Sequence, residues 1–259
     1  MNSRFSPARS ITIGLLLALV AVSPVAVQAM DADELINKNI EATGGLEKIR
    51  SVQSVKYTGK FLAQGMEFPF TMIQKRGSKM RIEAEIMGST MVQVFDGEKG
   101  WGINPMTGSA DPQPMSGMEE KSFKLQADMD GPLVDYADKG YTVEYLGEED
   151  VEGTPAYKLK VDTKDGIVMS IFFDKEYFLN IKSSNAITVD ENEFETQTYP
   201  SDYQDVDGMI QPFAIETRNG DMVLNQVMME KIEYNIEVDD SIFVMPEVPA
   251  APSVPEKIE

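Results

Sequence analysis

The chain predicts a mainly β protein (α+β class): an antiparallel meander behind one N-terminal helix. Three observations predict it. From Val52 onward the apolar period falls toward two. The alternation is cleanest where Met80, Ile82, Ala84 and Ile86 interleave with Lys79, Arg81, Glu83 and Glu85. Turn dipeptides recur at Asp96-Gly97, Glu152-Gly153, Asp165-Gly166, Asp207-Gly208 and Asn219-Gly220. Asp-Gly and Asn-Gly favour hairpins because Gly accepts positive φ and Asn or Asp tolerates it. The strand-like runs also lack the intervening helices that a parallel sheet would need.

The elements follow in order. Residues 31–43 read as a short helix, with Asp31 or Asp33 as its cap, Leu35, Ile36 and Ile40 as its apolar side, and Gly44-Gly45 as its stop. Leu46 and Ile49 give a second turn. Val55, Tyr57, Gly59 and Phe61 then share one strand face, and Met66, Phe68, Phe70 and Met72 share a face on the next strand. With the alternation at Met80–Ile86 this predicts a sheet that is dry on one side and wet on the other. Residues 106–136 break the pattern. They are rich in Met, Pro and Gly, with a short helix expected over 119–129, and read either as a lid-like insertion or as an ordinary loop. Strand-like runs resume at 141–147, 156–161, 167–174, 178–187, 193–199, 210–218 and 222–232. The Pro-rich end, 247–259, reads as a disordered tail.

Arg4 and Arg9, an apolar run over 11–22 and the small-residue step Val27-Gln28-Ala29 predict a cleaved export signal over 1–29. The run is short of the roughly 20 apolar residues a membrane span needs. No Cys follows it, so the chain is not expected to be a lipoprotein itself. The remainder, 30–246, suits one domain. Loss of the signal, which holds two Arg and no acid, takes the formal net charge from −20 to −22 for residues 30–259. So acidic a chain repels phosphate backbones, which argues against nucleic acid as a partner.

The sequence has no Cys and no His. Disulfides, thiol chemistry, histidine-assisted nucleophiles and histidine-bearing zinc sites are therefore excluded. The acidic strings around Asp205-Val206-Asp207-Gly208 and Asp128-Met129-Asp130-Gly131 lack the Glu that closes an EF-hand loop. A third cluster, Asp190, Glu191 and Glu193, reads as a solvated hairpin tip. No carboxylate pair stands out for glycoside hydrolysis. The expectation is a non-enzyme without metal or cofactor. Eight of the seventeen Met lie between Met66 and Met118. Met is flexible and polarisable, so the cluster suits either a β-core or a deformable apolar cavity.

Several segments resemble the outer-membrane lipoprotein-sorting proteins, the LolA/LolB-like periplasmic carriers. Lys75-Arg76 followed by Asp96-Gly97-Glu98-Lys99-Gly100-Trp101-Gly102-Ile103-Asn104-Pro105 is similar to that family's Lys-Arg-Pro step and its Asp-Gly-x-x-x-Trp-x-x-Asn-Pro segment. Ile40-Glu41-Ala42-Thr43-Gly44-Gly45, Gly131-Pro132-Leu133-Val134-Asp135-Tyr136, Asp202-Tyr203-Gln204-Asp205-Val206-Asp207-Gly208 and the closing Ser241-Ile242-Phe243-Val244-Met245-Pro246 extend the likeness. The resemblance implies an open antiparallel β half-barrel with an N-terminal helix and a helical or loop lid. It implies a carrier of lipoprotein acyl chains or a related lipid, served by an inner-membrane transporter and an outer-membrane acceptor. A periplasmic sensor of the same fold, reading lipid or a protein partner, is the alternative. Arg76 matches the arginine that keeps the empty cavity shut, although Gly77 stands where the family has Pro. From the alternating faces, the expected lining is Phe68, Phe70, Met72, Met80, Ile82 and Ile86; the opposite face is the other possible lining.

Overall fold

A computed structural model describes residues 30–107, 110–189 and 192–247, without the side chains of 186–194. The expected leader, the tail beyond Glu247 and the tip at Asp190 and Glu191 lie outside the described residues.

The N-terminal helix forms as the cap and stop signals require. Helix α1 (Ala32–Ala42) starts at Asp31, whose side chain accepts a 2.8 Å hydrogen bond from the Glu34 amide. It ends at Gly44, which has φ +122° and sits against the sheet. A Cβ there would stand 2.6 Å from the Gly208 carbonyl oxygen. That close approach lets the Ile210 amide donate to the Thr43 carbonyl at 3.2 Å, pinning the helix end to a hairpin. Helix α2 (Leu46–Ser51) follows directly.

The strands are β1 Ser54–Ala63, β2 Met66–Lys75, β3 Lys79–Ile86, β4 Ser89–Asp96, β5 Gly100–Ile103, β6 Gln113–Pro114, β7 Thr142–Val151, β8 Thr154–Asp162, β9 Val168–Asp174, β10 Asn180–Val189, β11 Asn192–Val206, β12 Met209–Asn219 and β13 Met222–Tyr234. All five predicted turn dipeptides join consecutive strands. The strands make one open antiparallel sheet, ordered β6-β5-β4-β3-β2-β1-β13-β12-β11-β10-β9-β8-β7. The chain thus runs outward from β1 to one edge, crosses over through the insertion, and returns from the other edge until β13 pairs with β1. A bulge at Thr58/Gly59 accommodates that closing pair: a Cβ on Gly59 would lie 2.2 Å from the Met228 oxygen.

Helix α3 (Gly117–Ala127) is the insertion's helix, two residues earlier than the expected 119–129. It packs Phe123 and Ala127 onto Met80, Phe95 and Met115, with Met72 and Ile82 at the margin. The opposite face of the same strands is not simply wet. Val92, Val94 and Trp101 form a second core there with Phe243, Ile73, Ile103, Val238 and Ile242. The C-terminal segment, 238–243, lies over that face as a strap. The Trp101 indole N–H donates to the Phe243 carbonyl at 2.9 Å, and Arg81 donates to the Ile242 carbonyl at 2.7 Å. Where α3 and the strap lie, over β3 to β5, the sheet is therefore covered on both sides.

Candidate functional site

Over the other half of the sheet the cover meets the strands only in part: Ile49 and Met129 pack against Val52, Val55, Met209 and Ile232, and beside that contact the cover stands off. A hollow of about 430 Å³ lies between α1, α2, the end of α3 and the 128–134 stretch on one side and β9 and β10 on the other. Met169, Ile171 and Phe173 face it from alternate positions of β9, and Ile40, Ile49, Leu125, Leu133 and Val134 close it from above. A second hollow of about 510 Å³ lies over β11 and β12, lined by Met209, Ile210, Pro212 and Ile215 among others. The two share Asn39, Thr43, Ile49, Asp130, Gly131 and Asn180, so they adjoin at a polar collar. Each falls in the size range of small-molecule sites, about 300–1,000 Å³.

The roof is fastened by buried apolar residues, Leu35 and Ile36 of α1 among them, and by a set of polar contacts. Arg76, in the turn between β2 and β3, donates from Nε to the Val52 carbonyl at 2.8 Å and from Nη2 to the Ile49 carbonyl at 2.6 Å, and its Nη1 pairs with Asp130 Oδ2 at 2.5 Å. One guanidinium thus joins the sheet, the end of α2 and the loop after α3. Planar geometry with fixed N–H directions suits it to that three-way joint. Next to it, Lys139 donates to Asp128 Oδ2 and to the Gly131 carbonyl. Farther out, Arg50 forks onto both oxygens of Asp135, at 2.9 and 2.7 Å, and the Tyr136 hydroxyl donates to Asp33 at 2.8 Å. That bond to the Asp33 carboxylate raises the Tyr136 pKa. At the other end of the roof, Asn39 donates to the Phe178 carbonyl at 2.8 Å. In the second hollow Tyr203 donates to the Asn180 carbonyl, and burial pushes its hydroxyl pKa up strongly.

The six residues expected to line a cavity sit elsewhere. Met80 is fully buried, with Met72 and Ile82 beside it under α3. Phe68, Phe70 and Ile86 are half-buried farther along the same face. None of the six borders either hollow: α3 fills the space above Met72, Met80 and Ile82, and Phe70 lines a separate recess of about 280 Å³ with Thr58, Thr71 and Glu83. Trp101 is buried on the opposite face. Arg76, by contrast, stands at the hollows' collar through Asp130. Sequence reasoning passed over Met169, Ile171, Phe173, Asn180, Ser183 and Asn185. Their strands were recognised, but Phe172 is buried on the reverse face beneath Lys158 and Lys182, so apolar alternation along β9 marked no single dry side. The strings at 40–45, 131–136 and 202–208 carried a signal through the resemblance: they hold Ile40, Thr43, Gly131, Leu133, Val134 and Tyr203, which line the hollows.

The site has no histidine or thiol, and among the described residues no group of three acidic side chains is placed to hold a metal ion. What it offers is apolar volume with a polar collar.

No protein-family model and no curated protein sequence matches the chain. Solved structures do. A LolA superfamily protein from Nitrosomonas europaea superposes with TM-score 0.56 at 12% identity, covering 83% of this chain and 98% of its own. A DUF1329 family protein from Desulfovibrio piger gives 0.55 at 14%, covering 82% and 96%. A domain named for outer-membrane lipoprotein sorting, from Vibrio parahaemolyticus, gives 0.51 at 8%, covering 80% and 97%. At these identities the likeness is one of architecture, and the chain has a LolA-like fold: an open antiparallel half-barrel with short helices over one face.

Proposed function

We propose that the protein is a periplasmic carrier that shelters the acyl chains of lipoproteins or a related lipid, exported by cleavage of residues 1–29. One observation carries the reading: two adjoining hollows with apolar walls lie under a roof that Ile49 and Met129 anchor on the sheet and that hydrogen bonds and ion pairs tie elsewhere. Moving an acyl chain of about fifteen methylenes into water costs roughly 12 kcal/mol, at about 0.8 per methylene. A dry hollow removes most of that cost. The polar ties of that roof can part and reform, because water replaces each lost bond when they open. Arg76 is the gate in this reading. The apolar face also continues beyond α3, so a long guest that lifts α3 meets Met72, Met80 and Ile82, then Phe68, Phe70 and Ile86. An inner-membrane transporter as donor and an outer-membrane acceptor complete the scheme.

The test is direct. Protein purified from its native envelope without detergent is expected to release acyl lipid detectable by mass spectrometry. The delipidated protein is expected to take up a fluorescent acyl probe at one saturable site. Protein that is empty as isolated and takes up no probe would refute carriage.

A further inference from the structure

The hollows' polar collar has a definite chemical character. Asn39, Thr43, Gln126, Asp128, Asp130, Asn180, Ser183 and Asn185 supply its polar side chains, and no Lys or Arg lines either hollow. Most of these groups are already committed to protein partners. Asp128 accepts from the Asp130 amide and from Lys139. Ser183 accepts from Asn180, whose own Oδ1 accepts from the Lys182 amide. Two are not. Asp130 Oδ1 is buried with no hydrogen-bond partner, although its Oδ2 is held by Arg76. The Asn185 amide makes no hydrogen bond to another described residue. A buried carboxylate oxygen without a donor costs free energy until one arrives.

We propose, resting on the carrier reading, that this collar selects the polar end of the guest: a hydrogen-bond-donating head, neutral or cationic, such as an amine, amide or hydroxyl. A guest entering between the 128–134 stretch and Asn180 brings its N–H or O–H to Asp130 Oδ1 and Asn185 while its chain lies against Ile171 and Phe173. A phosphate or carboxylate head meets acceptor–acceptor repulsion at those oxygens, because the nearest cations, Arg76 and Lys139, are already paired with Asp130 and Asp128. The chain's net charge of −20 adds to that repulsion at long range.

The test uses the delipidated full chain and five probes with one common acyl chain: a primary amine, an ethanolamide, a methyl ester, a free carboxylate and a monophosphate. Affinities are measured in about 0.5 M salt, where the Debye length is only a few ångström and long-range attraction of the amine is screened. The expected result is that amine and ethanolamide bind at least tenfold more tightly than carboxylate and phosphate. Ethanolamide is expected to exceed methyl ester severalfold, which separates donation from charge. Asp130→Asn is expected to shrink the amine-to-carboxylate ratio to threefold or less. Asn185→Leu leaves the Arg76 joint intact and is expected to weaken ethanolamide severalfold while sparing methyl ester; it decides the matter if Asp130→Asn does not fold. Equal binding of all five probes would overturn head selection and leave carriage standing, as would tighter binding of the carboxylate or phosphate. If none of the five binds, carriage itself fails.

Discussion

The two halves of the sheet are covered to different degrees. Over β1–β6, α3 buries Phe123 and Ala127 against Met80, Phe95 and Met115, and the 238–243 strap seals the reverse face around Trp101. Over β9 and β10 the roof stands off the strands at the hollow; Ile49 and Met129 anchor it on Val55, Met209 and Ile232, Arg76 and Asn39 tie it to the sheet's turns, and Arg50, Lys139 and Tyr136 tie its segments to one another. The difference lies in reversibility. Burying one side chain the size of Phe123 contributes about 1.5–3 kcal/mol and must be surrendered whole on opening. An exposed pair such as Arg50–Asp135 contributes about 0–1 kcal/mol and is exchanged for water. The polar ties of the second half therefore part at lower cost than the α3 contact.

The sharpest way to break this contrast is Met80→Ala. Met80 is fully enclosed, so truncation is expected to cost about 2–5 kcal/mol in denaturant unfolding. Uptake of a short acyl probe, one that fits the hollows without lifting α3, should be nearly unchanged in the folded fraction. If uptake falls sharply while stability holds, the guest lies on the β2–β3 face and the two halves have been assigned the wrong way round.

Two substitutions probe the openable half. Arg76→Met leaves Asp130 and the Val52 and Ile49 carbonyls without their donor. A cost of about 1–3 kcal/mol is expected, as for other orphaned partly buried polar groups, together with faster probe entry and faster release in stopped-flow. Slower exchange, or none, would mean that Arg76 is a structural tie and not a gate. Ser183→Trp places a large side chain in the hollow of about 430 Å³. It is expected to weaken probe binding about tenfold, some 1.4 kcal/mol, with a smaller change in unfolding midpoint. Unaltered binding would place the guest outside that hollow.

The sequence disclosed the architecture far better than the site, for a physical reason. Period-two patterning and Gly turns act locally, so β3, the five marked hairpins and the capped α1 could be read residue by residue. What fills the space above a strand is decided by segments distant in the chain. Met80 and Ile171 look alike in their own strands, yet α3 covers the first and a hollow faces the second. The strap is a similar case. Its Ser241-Ile242-Phe243 string could be matched to a family ending, but nothing local says that Phe243 shelters Trp101, 142 positions away. The supposedly wet face of β3 was misjudged accordingly: Arg81 was read as solvated, and it stands over the Trp101 ring.

That strap gives the smallest effect at neutral pH and the cleanest pH dependence. Asp240 accepts from Lys75 and from Lys79, at 2.7 and 2.8 Å, and these two bonds hold its carboxyl down from 3.8 to about 2. A carboxyl lowered in the folded state stabilises it above the unfolded pKa, and that contribution is lost as pH falls from about 4 through about 2. Loosening of the strap is therefore expected to appear in that window. Trp101 is the only tryptophan, so its fluorescence reports the event without labelling. Asp240→Asn is expected to remove the part of the acid transition assigned to the strap while leaving the signal at pH 7 nearly unchanged, since exposed ion pairs contribute little there. Acyl-probe binding over β9–β12 should be the same in this variant as in the parent. If the variant instead takes up probe differently at pH 7, the strap and the roof are coupled across the sheet, and the two halves do not open independently.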